Sequence, residues 1–206
     1  EDIDVPPTLC SFAVDVASSK YVVTPELKAA GNVLVKIDIE KDEYDVPKYE
    51  EVLSVYGKLY EDIKSGKIES TYAIGFGGII EAVSKMAFGN QLGVTLEESL
   101  AKEELLGKDY GSIIAEVKAS EVANLSMKIK VIGKVTEKAE FVYGDAVITM
   151  NEALKAWSKT LEPVFPTSSA VKETKIDTGL YNTSDIYICK NKVAVPKVFI
   201  PVFPGT

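Results

Sequence analysis

The chain contains no histidine and no arginine, and all 23 of its basic residues are lysine. Without an imidazole there is no Ser-His-Asp or Cys-His relay and no histidine metal ligand. Without a guanidinium there is no bidentate fork for a carboxylate or phosphate and no arginine finger. A self-sufficient hydrolase or phosphotransferase finds few of its usual parts here, and no catalytic residue is assigned from the sequence.

Cysteine is nearly absent too. Cys10 and Cys189 stand near opposite ends, which makes neither a disulfide framework nor a zinc site. Cys10 lies in an apolar run and is expected as a buried thiol in a strand. No apolar stretch reaches the ~18 residues of a membrane span and no signal-peptide pattern is visible, so the default location is cytoplasmic, with no membrane partner. A net charge of −8 argues against DNA or RNA as a partner, since binding their phosphates demands a basic surface. The acids at Asp38, Glu40, Asp42 and Glu43 read as a solvated loop, because a metal cage needs oxygens converging from a rigid turn. No metal site is expected.

What the chain does have is enough apolar material for a core: 46% of its 206 residues are hydrophobic. One domain plus an extension is the expected content. Residues 8–16 alternate like a strand, and Thr24-Pro25-Glu26 offers a helix start. Gly31-Asn32 precedes a strong strand at 33–39. Pro47 suits a first helical turn, and Tyr49, Val52, Leu53, Tyr56, Leu59, Tyr60 and Ile63 follow at spacings of three and four. That pattern predicts an amphipathic helix to about Lys64, with the tyrosine stripe on the core. A strand at 69–74 and a helix at 79–88 come next, the latter closed by Gly89-Asn90. Further expectations are strands at 92–96, 111–117 and 129–136, helices at 97–106 and 120–127 (Ser120 as cap), and a hairpin of 140–142 with 146–150. A last helix, capped by Asn151 and carrying Leu154 and Trp157, runs to Thr160. Alternating strands and helices with antiparallel neighbours predict an α/β (α+β layered) fold with a mixed sheet. The compact domain is expected over 1–161. Residues 162–206 read as a linker followed by an opening strand, and both ends look cut, as in a piece of a longer protein.

The most informative stretch is 71–94, where a β-favouring run ending in Tyr72-Ala73-Ile74 meets Gly75-Phe76-Gly77-Gly78 and then a helix. Such glycines permit φ > 0 or close approach, and they leave the first helical N–H groups able to face an anion. The segment is therefore either a phosphate-handling turn or a tight packing joint. It is not a nucleotide fingerprint: no G-x-x-x-x-G-K-[ST] occurs, and Ile80 stands where G-x-G-x-x-G needs its third glycine. A second glycine site, Gly107-Lys108-Asp109-Tyr110-Gly111, offers an ammonium, a carboxylate and a phenol before a strand. Gly75, Phe76, Gly77, Gly78, Lys108, Asp109 and Gly111 are thus the candidates for facing a phosphate or nucleotide.

Three segments together resemble one family. Residues 73–96 (AIGFGGIIEAVSKMAFGNQLGVTL) look like the glycine-turn helix of phosphoribosylformylglycinamidine synthase. Val131–Thr136, the hairpin and the Trp157 helix look like the end of that family's second C-terminal synthase domain. Pro196–Thr206 (PKVFIPVFPGT) looks like the opening of its glutamine amidotransferase domain. The order also matches, and the single-chain form of clostridia and similar bacteria is the form resembled. The resemblance implies a mixed sheet like that of the aminoimidazole ribonucleotide synthase superfamily. It also implies a parent enzyme that uses ATP, Mg²⁺ and glutamine to convert formylglycinamide ribonucleotide to formylglycinamidine ribonucleotide in purine biosynthesis. Its partners would be sister synthase domains and a glutaminase domain of the same chain, with a small-molecule nucleotide as ligand. This piece would lack the ATP and Mg²⁺ ligands and the glutaminase nucleophile, so it would be inactive alone and hold no cofactor tightly. Many family members carry acid-x-Ser-Asp-Gly-Gly at the glycine turn. Here Ala73, Ile74, Gly75 and Phe76 precede the Gly77-Gly78 pair, and both acids and the serine are missing. The alternative reading is a non-catalytic anion-binding or scaffold domain from another member of the same superfamily.

Overall fold

A computed structural model describes residues 10–167, 190, 193–195 and 197–202. The chain divides into two units, residues 1–167 and 168–206. The described residues of the second unit lie in no helix or strand, including residues 198–202, the described part of the run to Thr206 expected as an opening strand and turn. Cys189, residues 8–9 and most of the expected linker fall outside the described residues.

The first unit is built on one mixed sheet. Its strands are β1 (Val33–Ile37), β2 (Ile68–Ala73), β3 (Gly93–Leu96), β4 (Ile113–Val117), β5 (Lys130–Thr136), β6 (Glu140–Tyr143) and β7 (Ala146–Thr149). They lie in the order β2-β4-β1-β5-β3-β6-β7. Every neighbouring pair is antiparallel except β3 and β6, which run parallel. The helices are α1 (Tyr49–Lys64), α2 (Gly78–Asn90), α3 (Lys102–Leu106) and α4 (Met150–Lys159).

Strand alternation sorts the core into two layers. Leu34, Ile114 and Ile132 point to one face and meet Ile79, Val83 and Met86 of α2, Leu105 of α3 and Met150 of α4. Val35, Ile37, Ala115 and Val117 point to the other and meet Leu59, Val55 and Ile63 of α1. The α2 set recurs at helical spacing as expected, and Ile79, Val83 and Met86 are all at 0% exposure. Burying each such side chain contributes ~1.5–3 kcal/mol.

The tyrosine stripe of α1 does not face this core. Tyr49 and Leu53 are 74% and 76% exposed, and Tyr60 is exposed as well. The helix carries two apolar stripes, and the aliphatic one (Val55, Leu59, Ile63) takes the sheet, leaving the amphipathic tyrosines at the water boundary. Pro47 is not in the helix: it bridges to Lys41, and Lys48 occupies the cap.

Other boundaries move because backbone N–H groups find tertiary partners instead of a helix. Around Thr24-Pro25-Glu26 no helix forms: the Leu27 N–H donates to Met86 O, and the Lys28 and Ala29 N–H groups donate to Glu116. The expected helix at 97–106 shrinks to α3: the Glu97 N–H donates to Ile132 O of β5, and residues 97–100 make a turn closed by the Leu100 N–H on Glu97 O. The segment after β4 is a 3₁₀ turn, Ala119–Asn124, preceded by Lys118 rather than capped by Ser120. Thr149, not Asn151, caps α4, through a capping box with Glu152. α2 runs through Gly89-Asn90 and ends on Gln91 at φ 54. Residues 10–16 form no strand, and Phe12, Val14, Val16 and Cys10 are exposed. Alternation is present there, but neither edge of the sheet pairs with it.

One buried polar group organises the early loop. Glu116 on β4 is fully buried and accepts from the Lys28 and Ala29 N–H groups, Asn32 Nδ2 and Ser70 Oγ at 2.8–3.1 Å. Both carboxyl oxygens are satisfied, so residues 28–32 are fastened to the sheet from within.

Candidate nucleotide-facing loops

The two glycine loops emerge from the same end of the sheet, because β2 and β4 are antiparallel neighbours with Ala73 opposite Ile113. The pairing continues one step past the strands, where the Ile74 N–H donates to Ser112 O at 2.9 Å. Gly75 O then accepts from the Gly78 N–H at 3.4 Å and from the Asp109 N–H at 3.3 Å, so one carbonyl joins both loops.

Gly78 explains why this joint needs glycine. Its φ is +70, and a Cβ there would stand 2.6 Å from Leu105 O and 2.8 Å from Gly107 O. The start of α2 therefore rests on the end of α3 with no room for a side chain. Gly77 is occupied differently: its N–H donates to Glu81 Oε2 at 2.7 Å. Lys85 holds the other oxygen of Glu81 at 2.6 Å. These two donors hold the Glu81 carboxyl below the usual carboxylate range, the Lys85 bond being the larger cause and the Gly77 bond the next. A carboxylate thus sits where an anion would approach the first turn of α2. Phe76, at the tip of the turn, is 79% exposed.

Asp109 is an anchor in the second loop. It receives Lys36 Nζ at 2.7 Å, Ser112 Oγ at 3.0 Å and Lys41 Nζ. Burial pushes its pKa up, but the bonds from Lys36 and Lys41 win and hold it below the ordinary aspartate value. Lys36 is nearly buried on β1 and also pairs with Asp38 at 2.6 Å. Burial works against its charge, and the two carboxylates outweigh that and raise its pKa. Lys108 points elsewhere and pairs with exposed Asp45 at 2.8 Å. Gly111 has φ +89 and packs on Pro47, while its carbonyl accepts the Tyr56 hydroxyl at 2.7 Å.

The structure therefore brings Gly75, Gly77, Gly78, Asp109 and Gly111 into one interlocked joint. It leaves Phe76 and Lys108 on its rim. The residues that complete the joint, Glu81, Lys36, Lys41 and Tyr56, are not among the candidates read from the sequence. Lys36 leaves a signal as a lone cation inside the apolar run Val33–Ile37, and Glu81 as an acid four residues from both Gly77 and Lys85.

Among the described residues no group of three His, Cys, Asp or Glu is placed to hold a metal ion. Asp109 is engaged by two lysines and Glu81 by one, so the donor set of these loops does not fit Mg²⁺. A phosphate at α2 would have to displace Glu81. Among the described residues no helix is long and apolar enough to cross a membrane.

These features define a mixed α/β domain with a seven-stranded sheet and a glycine joint whose polar groups are largely satisfied from within. No family model matches the chain. In fold it is similar to phosphoribosylformylglycinamidine synthase II from Thermotoga maritima, with a TM-score of 0.57 and 14% identity over 76% of this chain. It is similar also to PurLQS from T. maritima, with a TM-score of 0.57 and 13% identity over 82% of the chain. T. maritima PurL complexed with ATP gives 0.55 and 14% over 76%. The match spans 30–32% of those chains, so the likeness is of one domain's fold to part of a longer protein.

Proposed function

We propose that this chain is a non-catalytic C-terminal synthase domain of a phosphoribosylformylglycinamidine synthase of the single-chain clostridial type, with the connector toward its glutaminase domain. The parent enzyme would be an ATP- and glutamine-dependent, cytoplasmic ligase of purine biosynthesis. Its domain here would pack against sister synthase domains and wall a nucleotide or phosphate pocket with the 75–78 and 107–111 loops. ATP and Mg²⁺ would supply phosphoryl activation in the parent, held by residues outside these loops.

The observation that carries the reading is the glycine joint itself. A strand–glycine turn–helix resembling the family's, in a fold similar to PurL, has its helix end filled by Glu81 and its only carboxylate of the second loop, Asp109, tied to Lys36 and Lys41. Groups so engaged are placed to position the two loops, each carboxylate being held by charge-assisted bonds from within the domain. In such a domain Gly75, Gly77, Gly78 and Gly111 shape a wall, and exposed Phe76 and Lys108 are the side chains that would meet a neighbour or nucleotide.

The test is an assay of the chain with formylglycinamide ribonucleotide, ATP and an ammonium salt. No turnover is expected, and sustained product formation would overturn the non-catalytic reading. Calorimetry with ADP and with ribose 5-phosphate separates the two remaining roles: saturable binding supports a pocket wall, and no heat supports a scaffold domain.

A further inference from the structure

A cleft of about 520 Å³ opens between the first half of α1, the end of β1 and the start of β5. That volume falls within the ~300–1,000 Å³ of clefts that hold small ligands. Its apolar surface comes from Ile39, Val55 and Ile129, and charged groups of both signs stand around it. Most of these charges are already matched. Asp38 pairs with Lys36 at 2.6 Å, Glu40 with Lys48 at 2.6 Å, and Lys130 with Glu104 at 2.6 Å. Two are not. Lys128 makes no ion pair or hydrogen bond among the described residues, and its charge reaches Glu40 only through space, helping, after the Lys48 bond, to lower that carboxyl's pKa. Glu51 uses Oε2 to accept the Glu40 N–H at 2.7 Å, which fixes the carboxylate; among the described residues it makes no ion pair, and its charge acts on Lys48 only at longer range. One free ammonium and one oriented carboxylate thus line the same cleft without meeting, over an aliphatic surface.

We propose that this cleft binds a small zwitterion with an apolar side chain, the chemistry of an unblocked aliphatic α-amino acid. Its ammonium would meet Glu51, its carboxylate Lys128, and its side chain Ile39, Val55 and Ile129. A phosphate-bearing ligand is disfavoured by Asp38, Glu40 and Glu51, and no metal-holding cluster is present among the described residues. The inference does not rest on the function proposed above. The cleft is nonetheless wired to the glycine joint, because the Lys36 ammonium bonds Asp38 at its lip and Asp109 in the loop, at 2.6 and 2.7 Å.

The experiment is a titration of the ¹⁵N-labelled chain, followed by amide shifts, with L-leucine, N-acetyl-L-leucine and L-leucine methyl ester. L-Leucine is expected to shift the amides around residues 38–40, 51–55 and 128–130 saturably. Each blocked form should bind about tenfold or more weakly, having lost one charge contact. Lys128→Gln should abolish the preference for L-leucine over its ester, and Glu51→Gln, which keeps an acceptor for the Glu40 N–H, the preference over the N-acetyl form. Absence of saturable shifts at these amides, equal binding of all three compounds, or variants that leave the discrimination unchanged would each overturn the proposal.

Discussion

The Glu81 carboxylate turns back over the first turn of its own helix and accepts the Gly77 N–H at 2.7 Å. α2 therefore supplies the anion for its own positive end. Removing that carboxylate should cost about 1 kcal/mol, as loss of an N-terminal cap does. It should also open a place that an external anion can fill. The expected outcome for Glu81→Ala is a lower melting temperature that inorganic phosphate partly restores, against a parent chain that phosphate leaves unchanged. Thermal melts with phosphate and with chloride at matched ionic strength check this; equal phosphate responses in both proteins would count against self-capping.

Two glycines make a contrast in opposite directions. At Gly78 a methyl group would meet Leu105 O at 2.6 Å, in a backbone with φ +70. Gly78→Ala should destabilise by roughly 3 kcal/mol or more, from strain plus displaced backbone. Gly57 lies inside α1, and a methyl group added there would meet nothing within 4 Å. At that position alanine only restricts the unfolded chain and improves helix propensity, so Gly57→Ala should stabilise by about 0.5–1 kcal/mol. Urea unfolding of both variants reads the two signs.

How far the sequence carried can be seen in particular residues. The period of Ile79, Val83 and Met86 located α2 and its buried face, and the run Val33–Ile37 located β1, because one dominant pattern was available in each. In α1 two patterns competed, and periodicity cannot say which stripe finds a sheet. Residues 10–16 had the right alternation but no partner, a fact settled far away in the sheet. Gly78 was legible as a position that needs glycine, but the sequence left a packing joint and a phosphate turn both open, because the Leu105 and Gly107 carbonyls it meets come from a segment distant in the chain. The partners of Asp109 were not, since Lys41 lies 68 residues away in sequence and Lys36 further still. Long-range pairing of charges leaves no local period to read.

Glu116 offers a stricter test of that long-range order. Its oxygens satisfy the Lys28 and Ala29 N–H groups, Asn32 and Ser70 in a fully buried setting. Glu116→Ala would orphan several donors and should cost about 3 kcal/mol or more. The loss should concentrate at residues 28–32. Hydrogen exchange should therefore show the Lys28 and Ala29 amides exchanging faster than the rest of the domain; uniform acceleration throughout would mean that Glu116 holds the whole sheet and not that loop.

Asp109 sets the acid behaviour of the lysine bridge in the candidate site, as Glu81 does at the start of α2. Its folded pKa lies below the ordinary aspartate value of 3.8: burial pushes it up, and the Lys36 and Lys41 bonds outweigh that. A carboxyl so depressed contributes stability that is present above its unfolded pKa and is lost as pH falls through the folded one. Lys36 has the opposite sign: its pKa is raised above 10.5, so its share is present below that value and is lost only as pH climbs through the raised one. Within the Lys36–Asp109–Lys41 bridge, acid therefore acts through the aspartate. Asp109→Asn should be less stable than the parent by about 1.5–3 kcal/mol near neutral pH, the usual worth of bonds to a charged group. The gap should narrow as pH drops below about 4, where the parent also loses the charge. Urea midpoints for both proteins at neutral pH and at about pH 2.5 measure it, and a gap of unchanged size in acid would place the cost of the substitution in packing and not in the Lys36–Asp109–Lys41 bridge.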